Sequence, residues 1–294
     1  MKKHFHGQNK QSSYFEGWYF KQENNTETLA VIPAFHVDEN GEKSVSMQVI
    51  TGQSSWYLYF PVSMFRASSD RLGVKIGENI FTEKGIRLSI HEEGINLEGS
   101  VRFGNFTPMK KEIMGPFFYF PGMQCTHEVE SLYHELKGDL YLNGNKISLD
   151  GGRGYLEKDR GRSFPKEYMW TQCGFEDQGG GCIMAAVADV PFLFGSFSGC
   201  ICIILYRGKQ YRFATYLGAR VVLNQKSIVV IRQGIWTLRM TALQENPKIL
   251  LAPSDGKLGR AIQESASCPV RYELFRGKKS VLRILGERAG WERG

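Results

Sequence analysis

The residues of this sequence that are best suited to chemistry lie in one short segment near the middle of the chain. Tyr155, Glu157 and Asp159 are spaced by two, so in an extended strand their side chains share one face and that of Lys158 lies on the other. Ionisable groups beside aromatic residues, at a predicted junction between two domains, are typical of ligand sites. The alternative is a solvated turn between the domains, and the segment alone leaves both interpretations open.

Cysteine and histidine residues form a second set of candidates. Cys125 and His127 share a strand face, as do Cys200 and Cys202. Neither pair belongs to the C-x-x-C pattern of a zinc site, so we predict no metal centre. The six cysteines are expected to be reduced and to pack as small apolar side chains. His127 has the alternative of a hydrogen-bonded core histidine.

Several common catalytic motifs are missing from the sequence. It has no G-x-G-x-x-G after a strand, no P-loop and no H-E-x-x-H, which argues against a nucleotide-binding enzyme and a zinc protease. The stretch 195–199 reads GSFSG, in which the serine is misplaced for the nucleophile elbow of a hydrolase.

Composition indicates that strands must position the candidate residues. Glycine is frequent, with 33 residues, and aromatic residues reach 13%, a combination typical of many turns and half-buried strands. Apolar residues recur with a period of two, as in Val45-Met47-Val49, and Asn40-Gly41 and Asn143-Gly144 are hairpin signals. We therefore predict an all-β protein of two antiparallel barrels or sandwiches packed together, comprising residues 1–160 and 161–294. A short helix is predicted only at 253–265.

One apolar run is long enough to raise the possibility of a membrane span. Residues 183–206 contain Asp189 as their only charge, but 189–191 and 195–199 break the run into pieces of strand length. We predict two adjacent buried strands. The opening MKKHFHGQNKQSS has no apolar stretch after its lysines. We therefore expect no signal peptide and a cytoplasmic location.

The net charge of +7 is concentrated near the C-terminus. Residues 257–294 hold nine lysines and arginines against four glutamates. Because these residues alternate with apolar ones, we favour a solvated strand face, with no nucleic-acid partner, over a site for an anionic partner. Peripheral contact with a membrane is left open.

Two motifs resemble the tocopherol cyclase family. The first is Tyr155-x-Glu157-Lys158-x-x-Gly161-x-x-Phe164-Pro165, followed by Trp170-x-Gln172-Cys173, and the second is YFEGWYFK at 14–21. Weaker matches extend to about residue 275. The resemblance implies two lipocalin-like barrels, a hydrophobic prenylated ligand and a reaction that needs no cofactor. In the plant members a prenyl double bond is protonated and a phenol oxygen attacks the resulting carbocation. Arg160 stands where the plant pattern has tryptophan, so the resemblance implies the substrate class rather than tocopherol.

This chemistry suggests roles for the candidate residues. Glu157 or Asp159 is the expected acid, and Lys158 is expected to hold a phenolate or to pair with a carboxylate. The side chains expected to line the ligand site are those of Glu16, Trp18, Tyr19, His127, Tyr155, Trp170 and Gln172. The alternatives are a barrel-core position for Trp18 and Tyr19 and a structural Glu157–Lys158 ion pair.

Two functions fit these expectations. The first is a cofactor-free cyclase of the isomerase class, or a hydratase, that acts on a prenylated or other isoprenoid substrate. The second is a non-catalytic, lipid-binding protein that carries a hydrophobic ligand. We expect Glu157 and Lys158 to face one pocket together with Trp18, Trp170 and Gln172.

Overall fold

The computed structural model describes residues 4–120, 122–176, 180–192 and 195–294. These residues form β-strands and short 3-10 turns, at Gly7–Asn9, Val62–Met64, Gly115–Tyr119 and Thr215–Leu217, with no α-helix among them. All strand pairs are antiparallel, and the strands form two large sheets. The all-β prediction is confirmed.

The first sheet contains twelve strands among the described residues. They are β1 (Tyr14–Glu23), β2 (Thr28–Val37), β3 (Lys43–Thr51), β4 (Ser55–Phe60), β5 (Phe65–Ala67), β6 (Gly73–Ile76), β7 (Asn79–Thr82), β8 (Gly85–Glu92), β9 (Ile95–Phe103), β10 (Cys125–Leu142), β11 (Asn145–Ser148) and β12 (Arg153–Gly161). Their order is β4-β3-β2-β1-β12-β10-β9-β8-β7-β6-β5, with β11 beside β10. Leu58 of β4 and Phe65 of β5, at the two ends of this order, belong to one hydrophobic core, so the sheet curls around it.

The segment with the candidate residues is a central strand of this sheet. β12 pairs with β1 on one side and with β10 on the other, and its residues 154–158 are buried. A strand with both edges hydrogen-bonded has no backbone groups left for water. The alternative of a solvated turn is therefore wrong for this segment.

Strand β10 is longer than the sequence pattern predicted. The sequence pattern predicts two strands, at 126–136 and 137–142, but these residues form one strand whose pairing shifts between Val129 and His134. Such β-bulges bend a strand without ending it. The predicted hairpin turn after β10 is confirmed, since Asn143 and Gly144 have φ of 50° and 81°, the conformation that a type I′ turn requires.

The second sheet contains ten strands among the described residues. They are β13 (Tyr168–Phe175), β14 (Gly181–Phe192), β15 (Gly195–Tyr206), β16 (Lys209–Ala214), β17 (Arg220–Gln225), β18 (Ile228–Gln233), β19 (Trp236–Ala242), β20 (Lys248–Ser254), β21 (Lys257–Arg276) and β22 (Lys279–Arg293). Their order is β16-β15-β14-β13-β22-β21-β19-β18-β17, with β20 beside β21.

The apolar run at 183–206 forms two strands, as predicted. β14 and β15 pair antiparallel along their whole length, with Ile183 opposite Ile204 and Asp189 opposite Ser198. The break predicted at 189–191 is absent, and β14 continues to Phe192. Among the described residues, no helix has the length and apolarity needed to cross a membrane.

The predicted helix at 253–265 is wrong. β20 ends at Ser254 and β21 begins at Lys257, with Asp255 and Gly256 between them at φ of 49° and 83°. Asp-Gly between two strands is a strong hairpin signal, because both residues tolerate positive φ. This signal, at positions 255 and 256, outweighs the weak helical pattern that follows it.

The chain divides into two compact units, each built from more than one stretch of sequence. The first contains residues 1–110, 123–164 and 250–260, and the second contains 111–122, 165–249 and 261–294. Within the first unit, the Gln48 side chain binds both backbone groups of Leu251, at 2.9 and 2.7 Å, and His36 Nδ1 lies 3.2 Å from the Gly256 carbonyl oxygen. The ranges 1–160 and 161–294 remain our prediction for the two domains.

Candidate functional site

The candidate residues of β12 lie on two opposite faces of the first sheet. Leu156 belongs to the core of the first unit, so the even-numbered residues of β12 face inwards. Tyr155, Glu157 and Asp159 therefore share the outer face, as their spacing predicted, while Lys158 points to the inner one. Glu157 and Lys158 consequently cannot face one pocket, because neighbouring residues of a strand point in opposite directions.

On the inner face, Lys158 belongs to a buried ionic cluster. Its Nζ lies 3.1 Å from Glu16 Oε1 and 3.5 Å from Glu128 Oε1, and it donates a hydrogen bond of 2.9 Å to the His4 carbonyl oxygen. All three charged side chains are almost completely buried. The ionic partners of Lys158 are thus Glu16 and Glu128, not Glu157. Lys158 has a structural position in the first unit.

Glu16 is held as a carboxylate by several donors. Oε2 accepts hydrogen bonds from the backbone N–H groups of His6 and Gly7, at 2.8 and 3.1 Å, and from the Tyr14 hydroxyl at 2.7 Å. Burial raises the pKa of Glu16, but the bonds from His6 and Tyr14 and the charge of Lys158 lower it more, to about 2. A group that is ionised at neutral pH is no proton donor, so Glu16 anchors the N-terminal segment instead.

The two aromatic candidates of β1 are also separated by the pleat. Trp18 is buried in the core of the first unit, where its ring centroid lies 6.4 Å from that of Phe5. This is the barrel-core position that the sequence left as an alternative. Tyr19 lies on the outer face and is paired in register with Glu157 on the neighbouring strand. Of the two rings, only that of Tyr19 is beside the outer carboxylates.

The outer face brings four candidate side chains together. The Tyr155 hydroxyl donates a hydrogen bond of 2.5 Å to Glu157 Oε2. His127, from β10, has its Nδ1 3.0 Å from Asp159 Oδ1 and its Nε2 3.6 Å from Glu157 Oε2. The imidazole ring therefore lies between two carboxylates, one near each nitrogen. We call Tyr155, Glu157, Asp159 and His127 the outer cluster.

Cys125 is a neighbour of the outer cluster that sequence reasoning assigned only to packing. Its thiol donates to Asp159 Oδ1 over 3.5 Å. Burial and the negative charge of Asp159 raise the pKa of Cys125, so the group stays a neutral thiol. The sequence feature that could have indicated this position of Cys125 was its spacing from His127, which puts both side chains on one strand face. What it could not give was the register that pairs His127 with Asp159.

The outer cluster places one imidazole ring beside two carboxylates. The carboxylate at Nδ1 orients the ring, and Nε2 lies 3.6 Å from the second carboxylate, just beyond hydrogen-bond distance. His127, Glu157 and Asp159 also each offer an atom within 4.8 Å of the others, a spacing that would accommodate a cation.

Trp170 and Gln172 belong to the second unit. They lie on β13, where Trp170 is paired with Glu292 and Gln172 with Gly290 of β22, and both are buried. A side chain at 290 would collide with the Trp170 ring, since a Cβ there would lie 2.6 Å from it. The grouping of Trp170 and Gln172 with the outer cluster remains a prediction.

Comparison with known proteins shows a likeness of fold. No family model and no curated protein matches the sequence. Two crystal structures match over 95% of the chain with a TM-score of 0.54: an AttH protein from Nitrosomonas europaea, at 14% identity and 91% of its own length, and kievitone hydratase from Nectria haematococca, at 12% and 87%. These neighbours share the two-sheet fold that the tocopherol cyclase resemblance implies. Membership of that family remains a prediction.

Proposed function

We propose that this protein is a cofactor-free acid–base enzyme that protonates a carbon–carbon double bond of a hydrophobic prenylated or other isoprenoid substrate. The carbocation is then captured by a phenol oxygen of the same molecule, which closes a ring, or by water. The observation that carries the proposal is the position of His127 between Glu157 and Asp159 on the outer face, with Tyr155 bonded to Glu157.

Three members of the outer cluster, Glu157, His127 and Asp159, act in this reaction. The protonated carboxyl of Glu157 gives its proton to one alkene carbon, and the electron pair of the double bond forms the new C–H bond. The phenol or water oxygen attacks the cationic carbon, and its proton passes to His127, which Asp159 orients through Nδ1. Transfer from His127 Nε2 to Glu157 restores the acid. The net reaction is an isomerisation or an addition of water.

Two further observations support the proposal. The Tyr19 ring lies beside Glu157 in the sheet, and the electron-rich face of an aromatic ring attracts a cation. A hydratase is also among the proteins that share the fold. Cyclisation and hydration begin with the same protonation and differ only in the oxygen that attacks.

The test is a comparison of two variants on prenylated phenols. Glu157→Gln keeps the size and the hydrogen-bonding capacity of the side chain but removes the proton, so turnover should fall by about a hundredfold or more. Glu98→Gln, at an exposed position of the same sheet, is the matched control and should keep full turnover. Mass spectrometry of lipid that co-purifies with the protein supplies the substrate candidates. Binding of such a lipid without turnover by the wild type would instead indicate a carrier.

A further inference from the structure

The second unit presents a cluster of aromatic residues to solvent. Residues 115–120 read GPFFYF, and in the structure Tyr119 and Phe120 are 79% and 52% exposed. Pro116 is also exposed, and Phe117 and Phe118 are half-buried. Exposed aromatic groups of this density are uncommon on a protein that binds nothing there. We call residues 116–120 the aromatic tip.

The base of the aromatic tip is firmly held. The Arg212 guanidinium donates hydrogen bonds to the backbone oxygens of Lys111 and Glu112, and the Tyr216 hydroxyl donates one of 2.9 Å to the Ile113 oxygen. Ile113 is buried, and Gly115 packs against the Tyr216 ring so closely that a Cβ there would lie 2.5 Å from it. The exposure of the tip is thus imposed by ordered contacts beneath it.

The surroundings of the aromatic tip are basic. Lys110 and Lys111, which lie a few residues before it in the chain, are exposed, as is Arg220, which follows the turn that carries Tyr216. Glu112 is the acidic residue of this stretch, and its Oε1 accepts a hydrogen bond of 2.8 Å from the Ile113 N–H. Leu217, beside Tyr216, adds an exposed apolar side chain.

We propose that the aromatic tip docks the protein on the surface of an anionic lipid bilayer. Aromatic side chains prefer the boundary between headgroups and acyl chains, and lysines next to it are attracted by anionic headgroups. Lysine is depleted in protein–protein interfaces, which favours lipid over a protein partner. The net charge of +7 adds attraction at longer range. This inference is independent of the proposed reaction, because it involves other residues.

The experiment is co-sedimentation of the full chain with vesicles of phosphatidylcholine, with and without phosphatidylserine. We expect binding that phosphatidylserine strengthens and salt weakens. The double variant Tyr119→Ser/Phe120→Ser should bind about tenfold more weakly or worse, because two apolar side chains no longer leave water. The control Ile235→Ser/Ile249→Ser removes two exposed apolar side chains elsewhere in the second unit and should bind as the wild type does.

Three results would overturn the proposal: no binding of the wild type to either vesicle, equal binding of the Tyr119/Phe120 double variant, or a change in self-association of that variant while vesicle binding is retained. A direct readout comes from Phe120→Trp. The protein has five other tryptophans, so the signal is the emission of this variant minus that of the wild type. This difference should shift to the blue and be quenched by brominated lipid when vesicles are added, and an unchanged difference would contradict insertion. No substrate enters either assay, so failure of the proposed reaction leaves the outcome unaffected.

Discussion

Neighbouring residues of β12 have different surroundings because the strand pleat separates them. Lys158 is enclosed with Glu16 and Glu128, whereas Glu157 and Asp159 meet His127 on the other face. The first arrangement holds the N-terminal segment to the first unit, and the second places the His127 ring between two carboxylates, which we propose to relay a proton. Each of these two arrangements can be tested by a substitution of one of its residues.

Lys158→Met should destabilise the protein by up to about 3–5 kcal/mol, because Glu16 and Glu128 lose one buried cation, while Glu128 keeps Arg160 at 3.1 Å. Unfolding in urea measures this loss. The matched control is Lys146→Met, which breaks the exposed pair with Asp139 (2.9 Å) and should change stability far less, because exposed ion pairs contribute little. Unchanged stability of Lys158→Met together with lost turnover would mean that Lys158 acts in the chemistry instead.

Asp159→Asn should reduce turnover by about tenfold or more, since the His127 ring loses the carboxylate that orients it. Asp159 is a positioning residue, so kcat should fall while KM changes little. The exposed loop variant Asp70→Asn should be neutral in the same assay. A fall in kcat that is fully explained by a lower free energy of unfolding of Asp159→Asn would indicate a structural role only.

At this scale the sequence predicted part of the site. The alternation of Tyr155, Glu157 and Asp159 was readable because strand side chains repeat every two residues. The contact of Glu128 with Lys158 was not readable from the sequence, because it depends on which residue of β10 pairs with which residue of β12. Register is a property of the whole sheet, and the sequence of one strand does not contain it.

At the scale of elements, the β20–β21 hairpin is fixed by its turn. Gly256 has φ of 83°, and a Cβ there would overlap the Val37 carbonyl oxygen and lie 2.5 Å from the Tyr14 nitrogen. Gly256→Ala should therefore lower the free energy of unfolding by several kcal/mol, about 1 of it from the left-handed backbone and the rest from displaced neighbours.

Gly144→Ala is the matched control for this prediction. Gly144 has nearly the same φ, 81°, but no atom lies within 4 Å of a Cβ placed there. Its substitution should cost only the backbone component, about 1 kcal/mol. If both substitutions lower the free energy of unfolding equally, as measured by thermal or urea unfolding, the close approach at Gly256 does not contribute to stability.

The elements themselves were largely predictable, and the failures share a cause. Hairpins with Asn-Gly turns and the two strands at 183–206 followed from local chemistry. The helix predicted at 253–265 and the predicted division of β10 both follow from apolar spacing, which shows neither the Asp255-Gly256 turn nor the bulges of β10. Bulges depend on contacts with the partner strand, which local sequence does not show.

For the whole molecule, buried histidines should make stability depend on pH. Burial lowers the pKa of His36 from 6.5 to about 4 and that of His134 to about 3. Both rings are therefore neutral in the folded protein, while the unfolded chain takes up protons as the pH falls below 6.5. The unfolded state then binds more protons, so the free energy of unfolding decreases from pH 6.5 downwards to about 4.

The expected slope is about 1.4 kcal/mol per pH unit for each of the two histidines within this window. Urea unfolding at several pH values measures it. His36→Gln should reduce the slope, whereas the exposed control His91→Gln should leave it unchanged. A free energy of unfolding that is constant across this window would contradict the burial of neutral rings.

The proton that Glu157 delivers to carbon gives the most direct test of the proposed function. Turnover of a prenylated phenol in D₂O should place one deuterium on the former alkene carbon, and Glu157→Gln should lose this labelled product by about a hundredfold or more while unfolding as the wild type does. Product that forms without deuterium on carbon, or undiminished labelling by Glu157→Gln, would contradict an acid at position 157.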